Sequence, residues 1–196
     1  MTVRAIRITG DPVLHAPARP VTDFDDKLAN LVTDLVETMH EAPGVGLAAP
    51  QIGVSQQVFV WEWEDDAGTL HEGAIVNPSL THSKPPRGKL DEDADLEGCL
   101  SIPDFRYPTR RSENVVLTGL SPSQQPLRVE ASGWLARIFQ HEWDHLQGHL
   151  YVDRLSFRAR REARSDIRDA GWGKPGLSWM PGVDDFENSD HQAEEA

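Results

Sequence analysis

Apolar positions between residues 24 and 41 recur at steps of three and four, at Leu28, Leu31, Val32, Leu35, Val36 and Met39. That spacing predicts an amphipathic helix with one stripe turned toward a core. Thr22 or Asp23 is its expected N-cap, and Pro43 with Gly44 its expected stop. The period then changes. Runs at 57–63, 73–80, 114–120 and 126–132 are rich in β-branched and aromatic residues and bounded by turn residues, so they predict strands. Residues 81–95 are polar and predict a loop. A helical pattern returns from about Gly133 through Gln147, with Gly148 as its stop. Strands flanked by a few helices, without regular alternation, predict an α+β fold. Its expected form is mixed or antiparallel sheets packed around the helix at 133–147, with one N-terminal and one C-terminal helix. The expected organisation is one domain over 1–155, a basic helix over 156–170, and an acidic tail with glycine and proline over 171–196 that frays.

Composition narrows the function classes. The 196 residues suffice for a single domain with a sizeable core. A formal charge of −13 argues against broad electrostatic binding to nucleic acid and gives no reason to expect specific DNA recognition. No apolar run reaches the roughly 20 residues that span a bilayer, and the N-terminus lacks the features of a secretory signal. One cysteine precludes an internal disulfide, which fits the cytoplasm.

The candidate chemistry lies in QHEWDHLQGHLY, residues 140–151. Helical residues four apart differ in direction by about 40°, so His141 and His145 project from one face. That is the arrangement of two ligands on one metal. Glu142 sits about 100° from His141, where it can lean over the metal without ligating it and take a proton from water. Two surface histidines on a charged helix are the plain alternative. A catalytic metal also needs a third ligand and an open position. A metzincin-type protease would place a histidine at 151, where this chain has Tyr151, and His149 falls beyond the helix stop. A gluzincin-type protease would take a downstream glutamate, and the nearest, Glu162, lies in an arginine-rich segment. Cys99 upstream is the remaining candidate. A lone cysteine is most often a small buried core residue, but a thiolate with two imidazoles suits zinc or ferrous iron.

Three segments occur in order: GVGLAAPQIG at 44–53, EGCLS at 97–101 and QHEWDH at 140–145. Together they closely resemble the signature motifs of peptide deformylases, over roughly residues 5–155. The resemblance implies that Cys99, His141 and His145 bind Fe(II), with Zn(II) or another divalent metal also accommodated. It implies that Glu142 acts as general base and then general acid. It implies that the Gln51 amide and the Leu100 backbone N–H hold the formyl oxygen as it becomes an oxyanion. The implied substrate is the N-formylmethionine end of a newly made polypeptide, and the product is formate. A catalytically silent metal-binding or ribosome-associated protein is the contrasting class, disfavoured by the presence of Glu142, Gln51 and Gly46.

Helical spacing independently places Trp134 and Ile138 on the ligand side of the helix, as an apolar wall for a methionine side chain. The backbone of Val45, Gly46 and Gly98 is expected to pair with the substrate as an added strand. Glu97 is expected to pair with Arg106 or Arg111, and Asp144 to orient a neighbour of the metal. Finally, residues 154–168 hold six arginines against Glu162 and Asp166, a net +4. On a helix Arg154, Arg158, Arg161, Arg164 and Arg168 fall within about 120° of arc. They form either a solvated face or a stripe that touches ribosomal RNA by phosphate contact.

Overall fold

A computed structural model describes residues 2–184. Two residues, Ile6–Arg7, form β1. Helix α1 spans Asp26–Glu41. The cap is Asp25 rather than Thr22 or Asp23: its carboxylate accepts from the N–H groups of Lys27 and Leu28. Strands β2 (Gly46–Ala48), β3 (Val58–Glu64) and β4 (Leu70–His82) follow, so the expected strand at 73–80 is longer at both ends. The hairpin β5 (Leu96–Cys99) and β6 (Ile102–Pro108) was not anticipated. Then come β7 (Asn114–Leu120), β8 (Pro126–Ser132), α2 (Gly133–Leu146), α3 (Phe157–Asp169) and the short β9 (Ser178–Trp179).

The main sheet has the order β2-β3-β4-β7-β8, with every neighbouring pair antiparallel. Its inner strands are sandwiched. On β3, Val58 and Val60 join the cluster of Leu28, Leu31, Leu35 and Met39 from α1. Phe59 and Trp61, pointing the other way, join Leu135, Ile138, Phe139 and Leu146 from α2. Burial on both faces explains why VFVW reads as an unbroken apolar run. The same alternation on β2 sends Leu47 toward α1 and Ala48 toward α2. Gly46, two residues before Ala48, therefore faces α2 as well.

A third cluster joins β6, the turn at Tyr151–Arg154 and α3 through Ile102, Tyr107, Tyr151, Leu155 and Ala163. Helix α2 stops where Gly148 takes φ +76°, and a Cβ there would lie 2.7 Å from the Ala16 backbone.

Two expectations about the C-terminal region need correction. Arg154 is not on α3. It ends a 3-10 turn, and its guanidinium binds the Asp144 carboxylate at 2.6 and 3.1 Å. The chain also does not simply fray from Gly171. Ser178–Trp179 pairs antiparallel with β1, and Trp179 packs against the α1 core. A two-residue strand carries too little periodicity to be seen in sequence. Residues 185–196 of the expected tail lie outside the described residues.

Candidate metal centre

Three donors converge between β5 and α2. Cys99 Sγ is 3.3 Å from His145 Nε2, which is 3.2 Å from His141 Nε2. The three ligand atoms lie within 4.8 Å of one another. Helical spacing brings the two histidines together, and the β5–β6 hairpin delivers the cysteine across from them.

The orientation of the rings decides what they can do. His141 Nδ1 lies 2.7 Å from Glu97 Oε1. Glu97 is ionised: burial alone would raise its pKa, but Arg111 and His141 hold it far below the usual carboxylate range. The carboxylate can only accept, so Nδ1 carries the proton and Nε2 turns inward. Burial likewise keeps His145 well below its ordinary pKa, hence neutral. Burial also opposes a charged His141 ring, yet Cys99 and Glu97 together raise its pKa well above normal. A cysteine sulfur and two imidazoles facing one point, with His145 Nε2 3.3 and 3.2 Å from the other two donors, fit a tetrahedral divalent metal with one position open.

Glu142 is 4% exposed, and its Oε2 has no hydrogen-bond partner among the described residues. Burial pushes its carboxyl up to about 7, against the pull of His141 and Arg111. A Cβ on Gly46 would lie 2.6 Å from Glu142 Oε1, so the glycine is what lets the carboxyl approach β2. The sequence reading gave Gly46 to the substrate alone. Gln51 is 1% exposed, and its Oε1 accepts from Ala48 N–H at 2.8 Å. That bond fixes the amide so that Nε2 points toward Cys99 Sγ (3.8 Å) and Ser101 Oγ (3.5 Å). Leu100 follows the cysteine directly, and its side chain approaches the position of Gly44.

An ion network backs the ligands. Arg111 spans Glu97 (2.6 and 3.0 Å) and Asp144 (2.6 Å), with all three side chains at most 6% exposed. Arg137 adds bonds to Glu97 Oε2 and Asp95. Glu97 therefore chooses Arg111, and Arg106 instead sits opposite Gly98 in the β5–β6 register. Gln140 bonds the Ser112 backbone in both directions and is structural. Sequence reasoning left Arg137 and Gln140 unassigned. Their places about 40° and 100° from His141 on the helix were the available signal.

The remaining candidates divide. Tyr151, where a metzincin would ligate, stacks on the His141 ring at 6.1 Å and 26°. Glu162 and His149 are exposed. Ile138, at 4% exposure, belongs to the core against the sheet. Trp134 is 38% exposed, packs against Trp63 with ring centroids 6.0 Å apart and planes tilted by 46°, and lines a surface groove with Asp65, His71, Glu130 and Leu135. The groove includes none of the three metal-facing side chains. Val45 gives its carbonyl to Glu62 N–H, so the next residue, Gly46, directs its backbone groups to the open edge of β2. Gly98 is exposed on β5, which pairs only with β6 in a two-stranded sheet.

Residues 3–161 match the family model for polypeptide deformylase. The chain is 48% identical over 186 residues to peptide deformylase 2 of Corynebacterium efficiens, covering 94% of this chain and 96% of the relative. It is 45% identical to the peptide deformylase of Tropheryma whipplei, over 90% of this chain and 92% of the relative. Among solved structures, the peptide deformylase of Legionella pneumophila superposes with a TM-score of 0.74 at 37% identity, covering 87% of this chain and 96% of that one. A Synechococcus elongatus peptide deformylase in complex with actinonin gives 0.72 at 34% identity, over 88% and 91%.

Proposed function

The chain belongs to the polypeptide deformylase family, and on that premise we propose that Cys99, His141 and His145 hold its metal, with Glu142 as the proton carrier. The family activity is metal-dependent removal of the formyl group from the N-terminus of newly made polypeptides. The observation that carries the assignment of roles is the buried, unpartnered Glu142 Oε2 beside three converging donors.

Bound at these donors, a divalent metal supplies Lewis-acid activation of water. The proposed resident is Fe(II), supported by the motif resemblance and by a donor set of one soft sulfur and two imidazoles. Glu142 takes a proton from the attacking water as its oxygen closes on the formyl carbon. A carboxyl poised near neutrality can both accept and return that proton. Gln51 Nε2, held by its bond to Ala48, and the Leu100 N–H receive the charge developing on the formyl oxygen. Each such donor lowers the barrier by about 3 kcal/mol in a site closed to water. Glu142 then protonates the peptide nitrogen as the C–N bond breaks, releasing formate and a free amine. The substrate backbone pairs with the open edge at Gly46, between Val45 and Gly98, as an added strand. Trp134 and Ile138 remain the proposed side-chain contacts, with Ile138 acting from within the core.

The proposed compartment is the cytoplasm, and no helix among the described residues is long and apolar enough to cross a membrane. A proposed partner is the ribosome. Arg158, Arg161, Arg164 and Arg168 are exposed on the face of α3 opposite buried Ala163. Phe157, 88% exposed, stands on the same side at the N-terminal end of the helix, where an aromatic ring suits unpaired bases. Arg154 is withdrawn from the stripe by its bond to Asp144.

The direct test is formate release from formyl-Met-Ala-Ser, compared with proteolysis of unformylated peptides. Turnover of the formylated peptide alone is expected. Cleavage of internal peptide bonds would favour a protease instead.

A further inference from the structure

Trp179 lies outside the family-matched residues 3–161, and no step above uses it. Its indole Nε1–H donates to the Leu100 carbonyl at 2.8 Å. That carbonyl shares a peptide group with the Ser101 N–H, which points at Cys99 Sγ at 3.4 Å. One peptide plane thus links the C-terminal strand to the cysteine: indole to carbonyl oxygen, amide hydrogen to sulfur.

The next peptide along, Ser101–Ile102, is held by the N-terminal segment. Thr9 N–H donates to the Ser101 carbonyl at 2.9 Å. Thr9 is itself bound by Gly173 N–H, and Ile8 N–H donates to the Leu177 carbonyl. Trp179 stands opposite Ile6 in the β1–β9 pair. The two terminal segments therefore form a brace against residues 100–101. A carbonyl that accepts a hydrogen bond makes the amide of the same peptide a stronger donor. A stronger N–H···S bond withdraws electron density from sulfur and fixes its direction.

We propose that Trp179 is a positioning residue: it orients the Leu100–Ser101 peptide, so that Ser101 N–H tunes the Cys99 sulfur and the Leu100 N–H stays aimed at the formyl oxygen. The inference rests on the proposed function, because it takes Cys99 as a ligand and Leu100 as a donor. The consequence is that the C-terminal segment beyond α3 is part of the metal centre's support. The same brace gives the segment a role in catalysis without any contact with substrate.

The test uses the full chain loaded with Co(II), whose bond to a thiolate gives a sulfur-to-cobalt charge-transfer band in the near ultraviolet. Wild type should show the band and Cys99→Ser should lose it. If wild type lacks it, or Cys99→Ser keeps it, the ligand assignment itself fails. With the band established, Trp179→Phe removes the donor but keeps an aromatic ring. Without the indole bond to the Leu100 carbonyl, Ser101 N–H becomes a weaker and less directed donor to the sulfur, the sulfur lone pair rises in energy, and the band should move to longer wavelength. Turnover should fall about tenfold with KM unchanged. An unmoved band with unchanged kcat would overturn the proposal. If Trp179→Phe does not fold, β-(3-benzothienyl)alanine at position 179 keeps the bicyclic shape and deletes only the N–H. The same red shift supports the brace, and an unmoved band rejects it.

Discussion

Glu97 and His141 share a 2.7 Å hydrogen bond on the side of the ring away from the other donors. Arg111 holds that carboxylate at 2.6 and 3.0 Å and reaches Asp144 on the same helix as the histidine. Position and protonation of one ligand thus depend on a buried chain of alternating charge. Glu97→Gln keeps an oxygen acceptor but removes the charge. Metal affinity should fall about tenfold to a hundredfold, read by competition with a chelator. Unchanged affinity would mean the bond only packs the ring.

Arg111→Met should act on folding more than on chemistry. It removes the guanidinium that bridges two carboxylates at most 5% exposed, leaving Glu97 with Arg137 and Asp144 with Arg154. A loss of about 3–5 kcal/mol is expected in urea unfolding of the metal-free protein. A loss below about 1 kcal/mol would mean that Arg137 and Arg154 alone compensate Glu97 and Asp144.

Much of this arrangement could be read from sequence, and the failures have physical causes. Helix α1 was legible because a surface helix shows its period, and β3 because a doubly buried strand shows an apolar run. The hairpin of β5 and β6 was hidden: its strands are short, a bulge falls between Gly98 and Cys99, and Pro103 and Pro108 interrupt the second. The donors Cys99, His141 and His145 were visible through motif spacing. The choice of Arg111 over Arg106 was not, because it depends on the hairpin register. Gly46 was singled out for a different reason from the one the structure gives, since only the packing of β2 on α2 reveals Glu142 beside it.

Gly46→Ala makes that contact testable. The added methyl would sit 2.6 Å from Glu142 Oε1 and 2.9 Å from its carboxyl carbon. Displacing the carboxyl by about an ångström should lower kcat about a hundredfold, with metal content intact. Wild-type turnover would show that Glu142 relaxes without cost, and the geometry assigned to it would be wrong.

Trp134 and Ile138 should separate by their burial. Trp134→Ala breaks a surface ring pair with Trp63 and should cost at most about 1.5 kcal/mol of stability, while changing KM for formyl-methionyl peptides. Ile138→Trp overfills a core position and should cost about 1–3 kcal/mol before any effect on KM is read. If Trp134→Ala leaves KM and side-chain preference unchanged, the methionine pocket lies elsewhere.

Changing Arg158, Arg161, Arg164 and Arg168 together to Gln should weaken ribosome association and flatten its salt dependence. Turnover of short free peptides should be nearly unchanged. Equal ribosome binding by both proteins at low salt would reduce the stripe to a solvated face.

In the proposed mechanism Glu142 carries the proton beside a metal held by Cys99, His141 and His145. Glu142→Gln preserves shape and removes the base, so metal content and formate release measured on one preparation test it most directly. One metal per chain should be retained, with turnover of formyl-Met-Ala-Ser reduced at least about a hundredfold. Retained metal with wild-type turnover would contradict it.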